Sequence, residues 1–485
     1  MTGNFSYTST YPFDLETVRT WFHRPGALTR ATPHWAGQVQ QEGNPQAPGS
    51  IARTSVALPL TYGLLTLPWQ ARHTAAEANS FTDEMARGPF TRWEHTHSFS
   101  AGHERTLVRD AVEFRVLPDY SLAGSDSSNR VLTGADSALQ AILGGGEKVT
   151  GPAIERQLER VFTARERRIT ADLSFQQRYA REPMTVVVAG ASGTVGKQVT
   201  ALLTGGGHTV RTLVRGNVTS ENEFAWDPES GQIDEAVFEG ADALIHLGGV
   251  SISQRFTAQN KKAILQSRVG STTVLAQTLA RLAAEGRGPR VFVCASAVGF
   301  YGLGRGDELL TEDMPAGNGF LAEVCQQWEA ACQPARDAGV RVVNVRTGLV
   351  QSVLGGMLRL QLPLFATGTG GWVGNGQQVQ SWISLDDIAG IYVHAVMTES
   401  LRGPVNAVAP DPVTARELAK TVGVALKRPV FLPVPKFGPA LLLGAEGAQE
   451  LALASQNASA EKLLASGYVF FEPALRTALE HELVS

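Results

Sequence analysis

The sequence predicts an α/β fold: a doubly wound parallel sheet over roughly the C-terminal two-thirds, preceded by a smaller α+β segment. Three observations carry this prediction. The β-branched run Thr185–Ala189 (TVVVA) meets a glycine-rich turn at once and leads into the helical pattern KQVTALL. Strand-like and helix-like stretches then alternate, the rhythm of parallel strands joined by crossover helices. Before residue 182 the texture differs, with period-two alternation followed by one long amphipathic helical pattern. A chain of 485 residues is too long for one ordinary core. It divides near Arg181–Met184 into residues 1–182 and 184–485, the latter ending in a smaller lobe over about 350–485.

In the first segment, Phe90–Leu117 reads as strands, alternating through Trp93, His95, His97 and Phe99 and again through Val112, Phe114 and Val116, with Gly102 turning one strand into the next. Residues 121–151 are rich in Gly, Ser, Asp and Asn and read as a long loop with at most a short helix around Ser137–Leu143. Pro152 opens a helix whose Ile154, Leu158, Phe162, Ile169 and Leu173 fall near helical spacing. Strands followed by one long helix suggest an antiparallel sheet wrapped around that helix. His95 and His97 share a strand face and His103 follows. No third residue has convincing ligand spacing, so no metal is assigned; side chains lining a ligand cavity account for the histidines as well.

The second segment has strand candidates at Thr185–Ala189, Thr209–Val214, Ala243–Leu247, Arg290–Cys294 and Arg341–Val345. Helical stretches such as Lys197–Leu203, Gln259–Ala284 and Leu321–Ala338 lie between them. Beyond Gly348 the pattern turns irregular and Gly-rich, then helical, as suits a lobe that covers a substrate.

Composition narrows the function. A net charge of −4 and a pI of about 6.2 argue against a nucleic-acid partner. Neither a signal sequence nor a membrane-spanning run of about 20 apolar residues is visible. Cys294, Cys325 and Cys332 form no CxxC pair and read as small buried groups in a reducing cytoplasm, Cys325 and Cys332 sharing a helical face.

The strongest motif is Gly190-Ala-Ser-Gly193-Thr-Val-Gly196, placed after a strand and opening a helix. Gly190 makes the tight turn, Gly193 admits a pyrophosphate to the backbone, and Gly196 permits close helix–strand packing, as in a Rossmann dinucleotide site. At the end of the second strand stands Arg215, where an NAD-preferring site places an acid; a guanidinium suits a 2′-phosphate, so NADP(H) is expected. A solvated surface arginine is the alternative. Leu247-Gly248-Gly249 ends the third candidate strand with small residues beside the expected ligand, and Arg268 offers a second cation to a phosphate.

These stretches, with ASAVGFYG (295–302), GFLAEVCQQWEAAC (319–332), VRTGLV (345–350) and GNGQQVQSWISLDDIAG (374–390), resemble the epimerase branch of the atypical short-chain dehydrogenase/reductases over residues 184–485. The resemblance implies an extended-type Rossmann fold and NADP(H). Carried over residue by residue, it implies cofactor contacts from Gly190, Ser192, Gly193, Thr194, Val195 and Gly196, from Val214 and Arg215, from Leu247, Gly248 and Arg268, and from backbone near Val350. In the first segment TVRTWFHRPGALTRATPHW (17–35), FTDEMARGPFTRWEHTHSF (81–99) and FTARERRITADLSF (162–175) resemble START/polyketide-cyclase-like domains, which are helix-grip folds that hold apolar ligands.

Short-chain dehydrogenases generally rely on Ser or Thr with a Y-x-x-x-K pair one helical turn apart. Ser296 holds the serine position at a strand end, but Phe320 and Val324 occupy the places of the pair. None of the eight tyrosines has lysine four residues on, and no lysine lies between Lys262 and Lys420. Tyr301 is the remaining acid/base candidate, with a ring packed over cofactor or core as its bland alternative. Glu323 projects toward the cofactor or lies on the helix surface, and Asp386 and Asp387 serve structure as helix caps.

Two functions follow. One is an NADP(H)-dependent oxidoreductase or epimerase acting on a small or apolar carbonyl compound, with Ser296 and Tyr301 polarising its oxygen and the first domain presenting a hydrophobic ligand. The other is a non-catalytic NADPH-binding regulator or scaffold, a class in which relatives have been linked to cell division.

Overall fold

The computed structural model describes residues 2–58, 61–115, 151–435 and 437–483. The chain forms two compact units: Met1–His23, Ala31–Val56 and Thr66–Leu173 in the first, and Arg24–Arg30, Ala57–Leu65 and Ser174–Ser485 in the second.

The first unit is built on a seven-stranded antiparallel sheet of β1 (Thr2–Tyr11), β2 (Gly37–Gln41), β3 (Ile51–Ala57), β4 (Thr66–Glu77), β5 (Ser80–Arg87), β6 (Arg92–Gly102) and β7 (Arg105–Arg115), in the order β1-β7-β6-β5-β4-β3-β2. A half-solvated sheet alternates, and β7 does so cleanly: Thr106, Val108, Asp110, Val112 and Phe114 are buried. Besides α1 (Leu15–His23), the unit carries most of α2 (Gly151–Arg178), whose Phe162, Ile169 and Leu173 are buried. Phe162 lies 5.8 Å from the rings of both Phe5 and Tyr7, which fixes the helix on the inner face. The loop expected over 121–151, with its short helix, lies outside the described residues up to residue 150.

The second unit carries an eight-stranded sheet of β8 (Thr185–Ala189), β9 (Thr209–Val214), β10 (Glu223–Asp227), β11 (Gln232–Ile233), β12 (Ala243–His246), β13 (Val291–Ala297), β14 (Arg341–Thr347) and β15 (Gly403–Ala407). The order is β11-β10-β9-β8-β12-β13-β14-β15, parallel except at the β10–β11 edge. Strands covered on both faces read as continuous apolar runs, and Val186 to Ala189 and Ala243 to Ile245 are fully buried. Its main helices are α3 (Thr194–Gly205), α4 (Ala258–Ala284), α5 (Phe320–Ala330), α6 (Gly356–Ala366), α7 (Leu385–Met397), α8 (Ala415–Ala425), α9 (Phe437–Gly447) and α10 (Leu475–Leu483). The strand order reverses beside β8, between β9 and β12, and such switch points open a crevice at the strands' carboxyl ends.

The five expected strands are all present. β10 and β15 were not anticipated: one is polar (EFAWD), and the other carries Gly403 and Pro404, which an edge strand tolerates. The helix expected over Leu321–Ala338 is interrupted after Ala330, and Pro334 starts a new short turn. All three cysteines are free and buried. Ser384, not an aspartate, caps α7 by accepting from the Asp387 N–H. Among the described residues no helix is long and apolar enough to cross a membrane.

Candidate functional site

The crevice is shaped at the first βα turn. Gly190 has φ +92°, and a Cβ there would stand 2.9 Å from the Leu247 carbonyl carbon and the Gly248 nitrogen. A Cβ on Gly196 would stand 2.1 Å from the Gly190 oxygen, so only glycine lets α3 approach the strand end. Gly193 is the N-cap of α3, and no side chain caps that end. The helix therefore presents backbone N–H groups and the positive end of its dipole to the crevice.

The same geometry brings Leu247 and Gly248 against the 190–196 turn. His246, at the end of β12, is fully buried; burial and the nearby Arg268 push its imidazole down to about 3, so it is neutral. Its Nε2 pairs with Ser271 Oγ at 2.9 Å, while Nδ1 faces the Gly248 N–H at 3.4 Å and steadies the loop. Arg268 Nη1 donates to the carbonyls of Val250 (3.0 Å) and Ile264 (3.2 Å), and its guanidinium stacks 5.1 Å over Trp328. Arg268 thus braces the 248–250 loop. The backbone at Gly355 comes close to Thr194, where an added Cβ would lie 2.9 Å from Thr194 Oγ1. Ser192, Val195, Val214 and Val350 lie on the turn, on α3, on β9 and on the Leu349–Gln351 strand, and Arg215 follows β9 exposed.

Ser296 and Tyr301 meet in one buried network rather than on an open face. Ser296 Oγ donates to Glu329 Oε1 at 2.7 Å. Arg346 clasps Glu329 with two hydrogen bonds, Nε to Oε1 at 2.9 Å and Nη2 to Oε2 at 3.0 Å. Arg346 Nη1 donates to the Tyr301 hydroxyl (3.1 Å), which donates to Asn406 Oδ1 (2.7 Å). Tyr301 is 0 % exposed, and burial pushes its phenol up. The Arg346 guanidinium also lies 3.5 Å from the Phe300 ring centre. Glu329, Arg346 and Asn406 were not anticipated, although the first two stand inside stretches that carried the family resemblance.

On α5, Val324 is buried and Phe320 half-buried. Glu450 accepts from the N–H groups of Phe320 (2.6 Å) and Leu321 (2.7 Å), occupying the start of this helix with an internal carboxylate. Lys261 Nζ sits 4.6 Å from the Phe320 ring centre and pairs with Glu446 at 2.6 Å. These residues, with Lys262, Leu265 and the exposed Glu323, line a cleft of about 470 Å³.

Known proteins share this organisation. Residues 186–406 match the NAD dependent epimerase/dehydratase family, and residues 434–482 match a domain of unknown function, DUF1731. The chain is 39% identical over 295 residues to epimerase family protein Mb2239 of Mycobacterium bovis, covering 61% of this chain and 96% of that protein. The crystal structure of a nucleoside-diphosphate sugar epimerase from Corynebacterium glutamicum superposes with a TM-score of 0.74 at 33% identity, over 99% of this chain and 90% of that one. Human epimerase family protein SDR39U1 (isoform 2), crystallised with NADPH, superposes with a TM-score of 0.56 at 31% identity, over 62% of this chain and 99% of the human one. This chain belongs to the NAD dependent epimerase/dehydratase family.

Proposed function

We propose that the second unit binds NADP(H) at the 190–196 turn and acts as an oxidoreductase or epimerase on a small or apolar carbonyl compound. The first unit, in this reading, is a START-like module for a hydrophobic ligand, which the long helix α2 laid on an antiparallel sheet supports. The observation that carries the cofactor assignment is the cradle itself: Gly190 and Gly196 leave no room for a Cβ, and α3 has no side-chain cap. NADPH in the human relative supports the same cofactor. The three free, buried cysteines suit a reducing cytoplasm.

When bound, the cofactor supplies or accepts a hydride. The α3 N–H groups hold its pyrophosphate, and the backbone of Leu247 and Gly248 lies alongside, braced by His246 and Arg268. Arg215 reads the 2′-phosphate from the end of β9. Ser296 and Tyr301 are the hydroxyls assigned to the substrate oxygen; each is committed to Glu329, Arg346 or Asn406, so direct action requires the network to open. That commitment favours a second reading, a non-catalytic NADPH-binding regulator.

The test is a direct NADPH titration of the full chain, followed by NADPH absorbance with apolar aldehydes, ketones and quinones. Saturable oxidation that disappears in Ser296→Ala supports the enzyme. Tight binding with no turnover on any of them supports the regulator. Failure to bind NADPH overturns the cofactor assignment for both.

A further inference from the structure

In the first unit, three adjacent strands place four ionisable side chains on the buried face of the sheet. Asp83 on β5 is the direct cross-strand partner of His95 on β6, and Asp110 on β7 is the direct partner of His97. His95 and His97 are two residues apart on one strand, so they share a face. His95, His97 and Asp110 are buried, and the surrounding face is aromatic: His97 stacks on Phe81 with ring centres 4.2 Å apart, and Phe22 lies 5.9 Å from His97.

This cluster is not a closed set of ion pairs. The Asp83 carboxylate accepts no hydrogen bond among the described residues, and its nearest basic atom is His95 Nδ1 at 3.7 Å, too far for one. His97, 4 % exposed, has its Nδ1 2.7 Å from Asp110 Oδ1, a bent contact with an oxygen that His95 Nε2 already shares. His73, facing Asp83 across β4 and β5, has a buried Nδ1 with no hydrogen-bond partner among the described residues. Only His95 is firmly placed, its Nε2 paired with Asp110 Oδ1 at 2.9 Å. That pairing leaves Nδ1 toward Asp83.

We propose that His95, His97 and Asp83 form a binding site for a divalent transition-metal ion, with Asp110 as the carboxylate that orients His95. One donor atom from each of the three lies within 4.8 Å of the others. Donors held at about 2.0–2.2 Å by one tetrahedral ion stand roughly 3.3–3.6 Å apart, so the His95–Asp83 spacing already fits and the widest pair closes by about one ångström. Two imidazoles and one carboxylate suit zinc or iron(II), and a carboxylate on the far nitrogen of a ligating histidine is the usual way its ring is aimed. No spacing along the chain announces the third donor, because it comes from the neighbouring strand.

The experiment uses the full chain, stripped with chelator and titrated with Co²⁺ by absorbance and with Zn²⁺ by calorimetry. Expected are one equivalent per chain, visible d–d bands of a low-symmetry Co²⁺ site, and displacement of those bands by Zn²⁺. Asp83→Asn, nearly isosteric, should lower affinity at least tenfold, and the His95→Gln/His97→Gln double variant should abolish the bands while circular dichroism shows both proteins folded. If either variant fails to fold, Asp110→Asn, which leaves the three ligands in place, should instead weaken Co²⁺ binding about tenfold and change the band pattern. The absence of stoichiometric binding in the stripped wild-type chain overturns the proposal. So does binding that survives in a folded double variant, since it would then come from exposed groups such as His103.

Discussion

The two large sheets of this molecule place their chemistry in opposite ways. In the parallel sheet of the second unit, the strand interiors are almost wholly apolar, and the close backbone approaches gather at the strand ends, where Gly190, Leu247 and Gly248 meet in one crevice. In the antiparallel sheet of the first unit, the polar groups sit mid-strand, facing inward among phenylalanines. Parallel strands covered on both faces leave little room for polar side chains except at their carboxyl ends, while an antiparallel strand alternates and can point a histidine into the core at every second residue. A ligand site assembled from backbone and loops therefore belongs to the first arrangement, and one assembled from cross-strand side chains to the second.

The same strand ends carry the buried Ser296–Glu329–Arg346–Tyr301 network, and breaking it gives the largest expected effect. Glu329→Ala leaves the Arg346 guanidinium buried without its carboxylate, a loss of about 3–5 kcal/mol measured by denaturant unfolding. A loss below about 1 kcal/mol would mean that Tyr301 and the Glu312 carbonyl suffice to hold the arginine. Next comes the strand-end crevice itself. Gly196→Val forces a Cβ to within 2.1 Å of the Gly190 oxygen; it should cost about 3 kcal/mol in stability and remove NADPH binding in a titration. Retained NADPH affinity in a folded variant would place the cofactor elsewhere.

A smaller effect is expected at Arg215. Arg215→Ala should weaken NADPH by about 1.5–3 kcal/mol and leave NADH nearly unchanged, the mark of a lost charged hydrogen bond to the 2′-phosphate. Equal losses for both nucleotides would remove the residue from that role. The last effect is one of pH. His394 is buried between Tyr179 (2.6 Å) and Ser466 (2.8 Å), and burial lowers its imidazole to about 4. Because the unfolded chain takes up the proton first, stability from this group is present above about 6.5 and is lost as pH falls toward 4, by at most about 1.4 kcal/mol per pH unit. Thermal unfolding followed across that window should fall less steeply in His394→Gln.

How much was legible in the sequence follows the same contrast. The Gly190–Gly196 turn is contiguous, and its meaning depends on a strand before it and a helix after it, both of which show in hydrophobic period alone. The TVVVA strand and the amphipathic run through Phe162 and Leu173 were visible for the same reason. Asp83 was not, because it meets His95 only when β5 registers against β6. Arg346 and Glu329 were not either: each lies in a motif, but on different elements, and no local rule pairs a strand arginine with a helix glutamate. The edge strand β15 hid behind Gly403 and Pro404, and Pro334 divided a helix that apolar spacing alone would have run on. Local pattern reports elements and turns; long-range pairing of polar side chains reports itself only in three dimensions.

Glu450 lies within residues 434–482, the C-terminal stretch matched as a domain of its own, yet both its carboxylate oxygens end on the first turn of α5. The lobe is thereby keyed into the sheet domain like a plug into its socket. A chain trimmed before residue 434 would lose both that carboxylate and Glu446, leaving the first turn of α5 with two open backbone donors beside a Lys261 without its partner, a cationic corner free to collect carboxylates or phosphates.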